Sequence, residues 1–184
     1  MNVLRAFACL GCVLLVFLAG CRGAPPAGVD PAYQVADLGM LGDWRTDEGV
    51  EIGVDSLGRA GFIVKIRSAD DSATYRGHLL EVAGMRFIEV SVHQPDRDGS
   101  VPVYHYAAVE RIGDVMTHRP IRADWLASAS AGMPEAIYRS TAESSPGSGG
   151  VVVRERQAML ELLRKAASDP AALGPAERLV RVKN

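Results

Sequence analysis

The sequence predicts a mainly β fold with a minor helical part. It reads as an antiparallel meander of about eight strands that curls or closes into a barrel, with a C-terminal helix packed on it. Three observations carry this expectation. Apolar and polar residues alternate with period two through the middle of the chain, short turn signals separate the alternating runs, and a helical stripe comes near the end.

In Phe62-Ile63-Val64-Lys65-Ile66-Arg67, the residues Phe62, Val64 and Ile66 point one way while Lys65 and Arg67 point the other. In Ile88-Glu89-Val90-Ser91-Val92-His93 the apolar face is Ile88, Val90 and Val92. Such alternation marks strands buried on one face. Asp55-Ser56-Leu57-Gly58, Ala83-Gly84 and Gly113-Asp114 fall between runs as turns. Gly113-Asp114 suits a two-residue hairpin loop, because glycine tolerates positive φ. Antiparallel strands joined this way favour closure, which removes exposed edges.

Helical pattern comes later. Asp124-Trp125-Leu126-Ala127 begins a short segment ending near Gly132-Met133-Pro134. A firmer helix spans about 155–168, with Met159, Leu162, Leu163 and Ala166 on one stripe, and Asp169-Pro170 stops it. Ile137–Arg139 and Val151–Val153 read as a further strand pair around the Ser144–Gly150 loop. Leu179-Val180-Arg181-Val182 supplies a last strand that closes the sheet.

The chain opens with Met1-Asn2-Val3-Leu4-Arg5, an apolar run from Ala6 to Phe17, and Leu18-Ala19-Gly20-Cys21. A basic start, a short apolar stretch and small residues describe a secretory leader, and the run is too short for a permanent span. Leu18, Ala19, Gly20 and Cys21 resemble the lipobox of bacterial lipoproteins. That resemblance implies a diacylglyceryl group on the Cys21 thiol and cleavage before it by signal peptidase II. Two or more acyl chains give stable membrane attachment. Arg22 stands where an aspartate favours inner-membrane retention in enteric bacteria, so in a host with two membranes the resemblance favours the periplasmic side of the outer membrane over the inner one.

The organisation that follows is a leader over residues 1–20, a lipid anchor and flexible tether over 21–37, and a barrel domain over 38–184. The small, Pro-rich stretch Arg22–Gly28 holds nothing that packs. Three cysteines are present, Cys9, Cys12 and Cys21. The first two leave with the leader and the third carries lipid, so no thiol remains for a disulfide, a metal or a nucleophile. With 20 basic against 22 acidic residues there is no nucleic-acid footprint.

A second resemblance covers roughly residues 38–184. Leu41-Gly42-Asp43-Trp44-Arg45, Gly77-His78-Leu79-Leu80, Phe87-Ile88-Glu89-Val90 and Asp124-Trp125-Leu126 are similar to small bacterial proteins of unknown function with a lipocalin-like β-barrel. Gly42 and Trp44 match the glycine-x-tryptophan of lipocalins, whose tryptophan plugs the closed end of the barrel. They are the barrel-floor candidates.

Catalytic sets are missing from the pattern. Pairing Val82 with Met85 sets His78 opposite Glu89, two ligands where a catalytic zinc takes three from the protein, so a cross-strand polar pair is the plainer reading. His105 alternates with Val103 and Ala107 and points inward; His93 and His118 lie on strand faces or ends. Asp96-Arg97-Asp98-Gly99 opens like a calcium loop, but the twelfth position is Ala107 rather than glutamate. Ser144–Ser148 lacks the nucleophile elbow, and Gly147-Ser148-Gly149-Gly150 lacks the spacing and lysine of a phosphate loop. Asp70-Asp71 belong to a solvated connection. The sequence therefore reads as a non-enzymatic binding or scaffold module of the envelope, without metal or cofactor, engaging an unknown envelope protein. The alternative is a carrier of a small apolar ligand in the barrel interior.

Overall fold

The computed structural model describes residues 29–69, 71–92, 104–131, 133, 137–139, 151–153 and 156–183. The leader, the lipobox with Cys21, Asp70, His93, Asp96–Gly99 and the Ser144–Gly150 loop lie outside the described residues.

In chain order the strands are β1 (Gln34–Val35), β2 (Gly42–Thr46), β3 (Glu51–Leu57), β4 (Gly61–Arg67), β5 (Ser72–Val82), β6 (Met85–Val92), β7 (Tyr104–Ile112) and β8 (Val115–Pro120). Helix α1 (Ala123–Ala129), β9 (Ile137–Arg139), β10 (Val151–Val153), α2 (Arg156–Ser168) and β11 (Glu177–Arg181) follow. β2 through β8 pair with their neighbours as an antiparallel meander. β11 then enters between β8 and β2 and closes an eight-stranded barrel. The expected closure by the last strand, the hairpins and the β9–β10 pair are all present.

Two cores follow from the alternation. Trp44, Val54, Phe62, Val64, Leu79, Met116 and Leu179 point into the barrel interior and pack as one cluster. Leu80, Val82, Phe87 and Ala108 face outward from β5, β6 and β7 and pack under Leu126 of α1 and the Met159, Leu160, Leu162, Leu163 and Ala166 face of α2. The C-terminal helix thus packs on the barrel as expected. The double burial explains why Leu79-Leu80 interrupts the alternation, since a strand covered on both faces reads as continuously apolar.

Three boundaries differ from the sequence reading. β5 begins at Ser72, because its first residues pair with β4 while carrying few apolar side chains. Asp55–Leu57 belong to β3, and the turn follows at Gly58–Ala60. Residues 29–37, grouped by the sequence with the tether, pack on the barrel. Val29 joins the outer core, Pro31–Tyr33 form a 3-10 turn capped by Asp30, and β1 pairs with β5.

The β5–β6 hairpin closes through Ala83-Gly84 with φ of 51° and 77°. Positive φ at both loop positions is the geometry of a type I′ turn, which favours asparagine before glycine. Alanine there carries strain, since its Cβ crowds the backbone. Ala83→Asn is expected to raise stability by about 0.5–1 kcal/mol, read as a higher urea midpoint at unchanged m-value; an unchanged or lower midpoint contradicts it.

Candidate functional site

Where β2 begins and β11 finishes, a small set of residues packs against one end of the barrel interior. Gly42 and Trp44, the floor candidates, stand on the inner face of β2. Trp44 is fully buried, and its Nε1–H donates to Met40 O at 2.9 Å. Met40 belongs to a 3-10 turn, Leu38–Met40, capped by Asp37, whose carboxylate accepts from Gly39 N–H at 2.8 Å. That turn lies across the end of the barrel below the indole.

Arg181 completes the floor. It is opposite Trp44 in the β2–β11 register, and its guanidinium carbon is 4.3 Å from the ring centroid. Its Nη1 donates to Leu41 O at 2.6 Å, Nη2 donates to Gly39 O, and Nε meets Asp114 Oδ1 at 3.3 Å. A planar donor fork suits this combination of stacking and carbonyl contacts. Gly42 is required by its backbone, and the guanidinium lies close beside it. Its φ is +115°, and a Cβ there would lie 2.7 Å from Arg181 Nη1. Nearby, Asp37 holds Arg86 Nη1 at 3.0 Å and Arg111 Nη2 at 3.3 Å.

Above the floor the packing loosens. Ile88 faces inward between Leu79 and Ala107, which are 0% and 4% exposed, yet Ile88 itself keeps partial exposure. Ile52, Ile66, Tyr75, Val90 and Val109 are inward-facing and partly exposed as well. Apolar side chains inside a barrel reach solvent only where the interior is incompletely filled or open.

Polar groups join this wall. His105 alternates with Ala107 on the inner face of β7, as the sequence predicts, and burial pushes its imidazole below the ordinary 6.5. His118 of β8 stands opposite Glu177 of β11, with Nδ1 3.4 Å from Glu177 Oε2. Burial lowers the His118 pKa, and the carboxylate opposes that effect in part.

The His78–Glu89 pairing predicted from the hairpin is present, with Nδ1 3.7 Å from Oε1. Its surroundings differ from a surface pair. Glu89 points outward from β6 beneath the helical layer and is 2% exposed. Its Oε2 accepts from Val29 N–H at 2.9 Å and from the Tyr106 hydroxyl at 2.6 Å. Burial and the neighbouring carboxylate push the Tyr106 phenol well above 10.0 and keep it protonated as a donor. This cluster ties the incoming chain to the wall, and it faces away from the interior. Among the described residues, no three His, Cys, Asp or Glu side chains converge as a metal site.

Arg181 and Val29 were not identified as site residues from the sequence. Arg181 was detectable, since it lies two positions from Leu179 on the same face of the closing strand. Val29 carried no signal. No protein-family model, curated protein or solved structure matches this chain.

His105 and His118 take protons less readily when folded than when unfolded. Above pH 6.5 both states are neutral and the contribution of these groups to stability is complete. On acidification the unfolded chain is protonated first, which favours unfolding. Tm is therefore expected to fall as pH drops from 6.5 toward about 5, with a shallower fall in His105→Gln; parallel profiles would contradict the assignment.

Proposed function

We propose that this chain is an exported lipoprotein, held at the bacterial envelope by acylated Cys21, whose barrel is a non-enzymatic binding module for a small apolar molecule. The observation that carries the binding reading is the contrast inside the barrel. Trp44 and Met40, 0% and 2% exposed, pack at one end, while inward Ile88, Val90 and Ile66 remain partly exposed. Each Å² of apolar surface left to water forgoes roughly 25 cal/mol, so an apolar occupant recovers free energy that the empty wall leaves unused. Barrels of about eight strands suit one small ligand.

The anchor reading rests on Leu18-Ala19-Gly20-Cys21 at the end of an apolar run. Among the described residues no helix is long and apolar enough to cross a membrane. The Arg22 position supports the periplasmic side of an outer membrane.

A second reading, docking of an envelope protein, is favoured by Leu38 and Ile112. They are 75% and 73% exposed at the closed end of the barrel.

Two measurements test these readings. Cys21→Ala is expected to abolish incorporation of radioactive palmitate; persistent labelling rejects the anchor. Protein purified from its own envelope and extracted with organic solvent should yield a stoichiometric apolar molecule by mass spectrometry. An empty extract with a co-purifying envelope protein would favour docking instead.

A further inference from the structure

We infer that the barrel mouth selects an apolar molecule ending in a hydrogen-bond donor, such as a long-chain alcohol, and turns away a carboxylate. This rests on the binding reading above and adds the chemistry of the head group.

The first argument is placement. His118 and Glu177 lie directly opposite each other on the inner face, in line with Met116 and Leu179 of the same two strands. Val109 is the other register partner of His118, so the polar pair adjoins the apolar wall continuing through Val90 and Ile88. An occupant whose chain lies on that wall brings its head to this pair.

The second argument is hydrogen-bonding capacity. Nδ1 faces Glu177 Oε2 at 3.4 Å, and a neutral imidazole with its proton on that side would present the Nε2 lone pair. Burial favours this neutral form. Among the described residues nothing donates to Nε2, and Glu177 keeps a largely exposed carboxylate. Both groups then accept hydrogen bonds, which a hydroxyl can supply and an ionised carboxylate cannot.

The third argument is charge. The inward arginines of the described wall, Arg86, Arg111 and Arg181, are all at the closed end and engaged there by Asp37, Asp114 and backbone carbonyls. The described inner face near the mouth holds Glu177 and two imidazoles of lowered pKa, with no lysine or arginine among them. A fatty-acid head would meet a like charge without compensation.

The test uses the full chain in envelope membranes. The probes are a long-chain alcohol and a fatty acid of equal length, each carrying a diazirine, and labelled peptides are mapped after irradiation. The alcohol is expected to label the Met85–Val92 strand about ten-fold more than the acid, a difference of about 1.4 kcal/mol. Glu177→Gln, at an exposed side chain, should bring the ratio close to one by admitting the acid. Equal labelling of the wild type by both probes, or an unchanged ratio in the variant, overturns the head-group selection while leaving apolar binding intact. Interior labelling by neither probe overturns both.

Discussion

The last strand has to satisfy two sheet edges at once, and the rest of the molecule depends on its doing so. β11 is five residues long, yet it bonds to β2 along one side and to β8 along the other. Without it, both neighbours would present unpaired backbone donors and acceptors, which invite association with other chains. The same strand brings Arg181 under the Trp44 indole and sets Glu177 against His118. Closure, floor and mouth chemistry thus come from a single pairing event. Because β2 and β11 are far apart in sequence, that event is non-local, and such pairings carry a loop-closure cost before any contact rewards them.

A second constraint is that one arc of the barrel wall carries apolar side chains on both faces. β5, β6 and β7 carry Leu79, Ile88 and Val109 inward and Leu80, Phe87 and Ala108 outward. A carboxylate placed in such a wall needs full hydrogen-bonding compensation. Glu89 obtains it from a backbone amide, a phenol held protonated by burial, and a nearby imidazole. The cluster is therefore best understood as a structural joint.

Much of this architecture was legible in the residues. Phe62, Val64 and Ile66 declared their common face through simple alternation, and the Ala83-Gly84 loop fixed a register that put His78 against Glu89 as observed. The Met159–Ala166 stripe likewise located the helix and its buried side. Residues that act across the tertiary structure were harder to read. No local pattern says that Arg181 stacks on a ring more than a hundred positions earlier, or that Gly42 must adopt a φ of +115°. The burial of Glu89 was hidden for a similar reason. On a strand whose other face is apolar, an outward glutamate reads as solvated, and only the helices laid over it reverse that. Ser72–Arg76 escaped notice because pairing, rather than hydrophobicity, holds that part of β5.

The attachment of Val29 to Glu89 also has a mechanical side. The backbone amide of Val29 donates to a carboxylate sixty positions away, and five residues later β1 adds a two-residue ladder to β5. A pull applied through the upstream chain is delivered first to this short stretch, and from there to the flank of the barrel under the helices. The strand that closes the barrel lies outside that path of force. Were the chain held at its upstream end, the barrel would hang from its flank, with β11 clear of the line of tension.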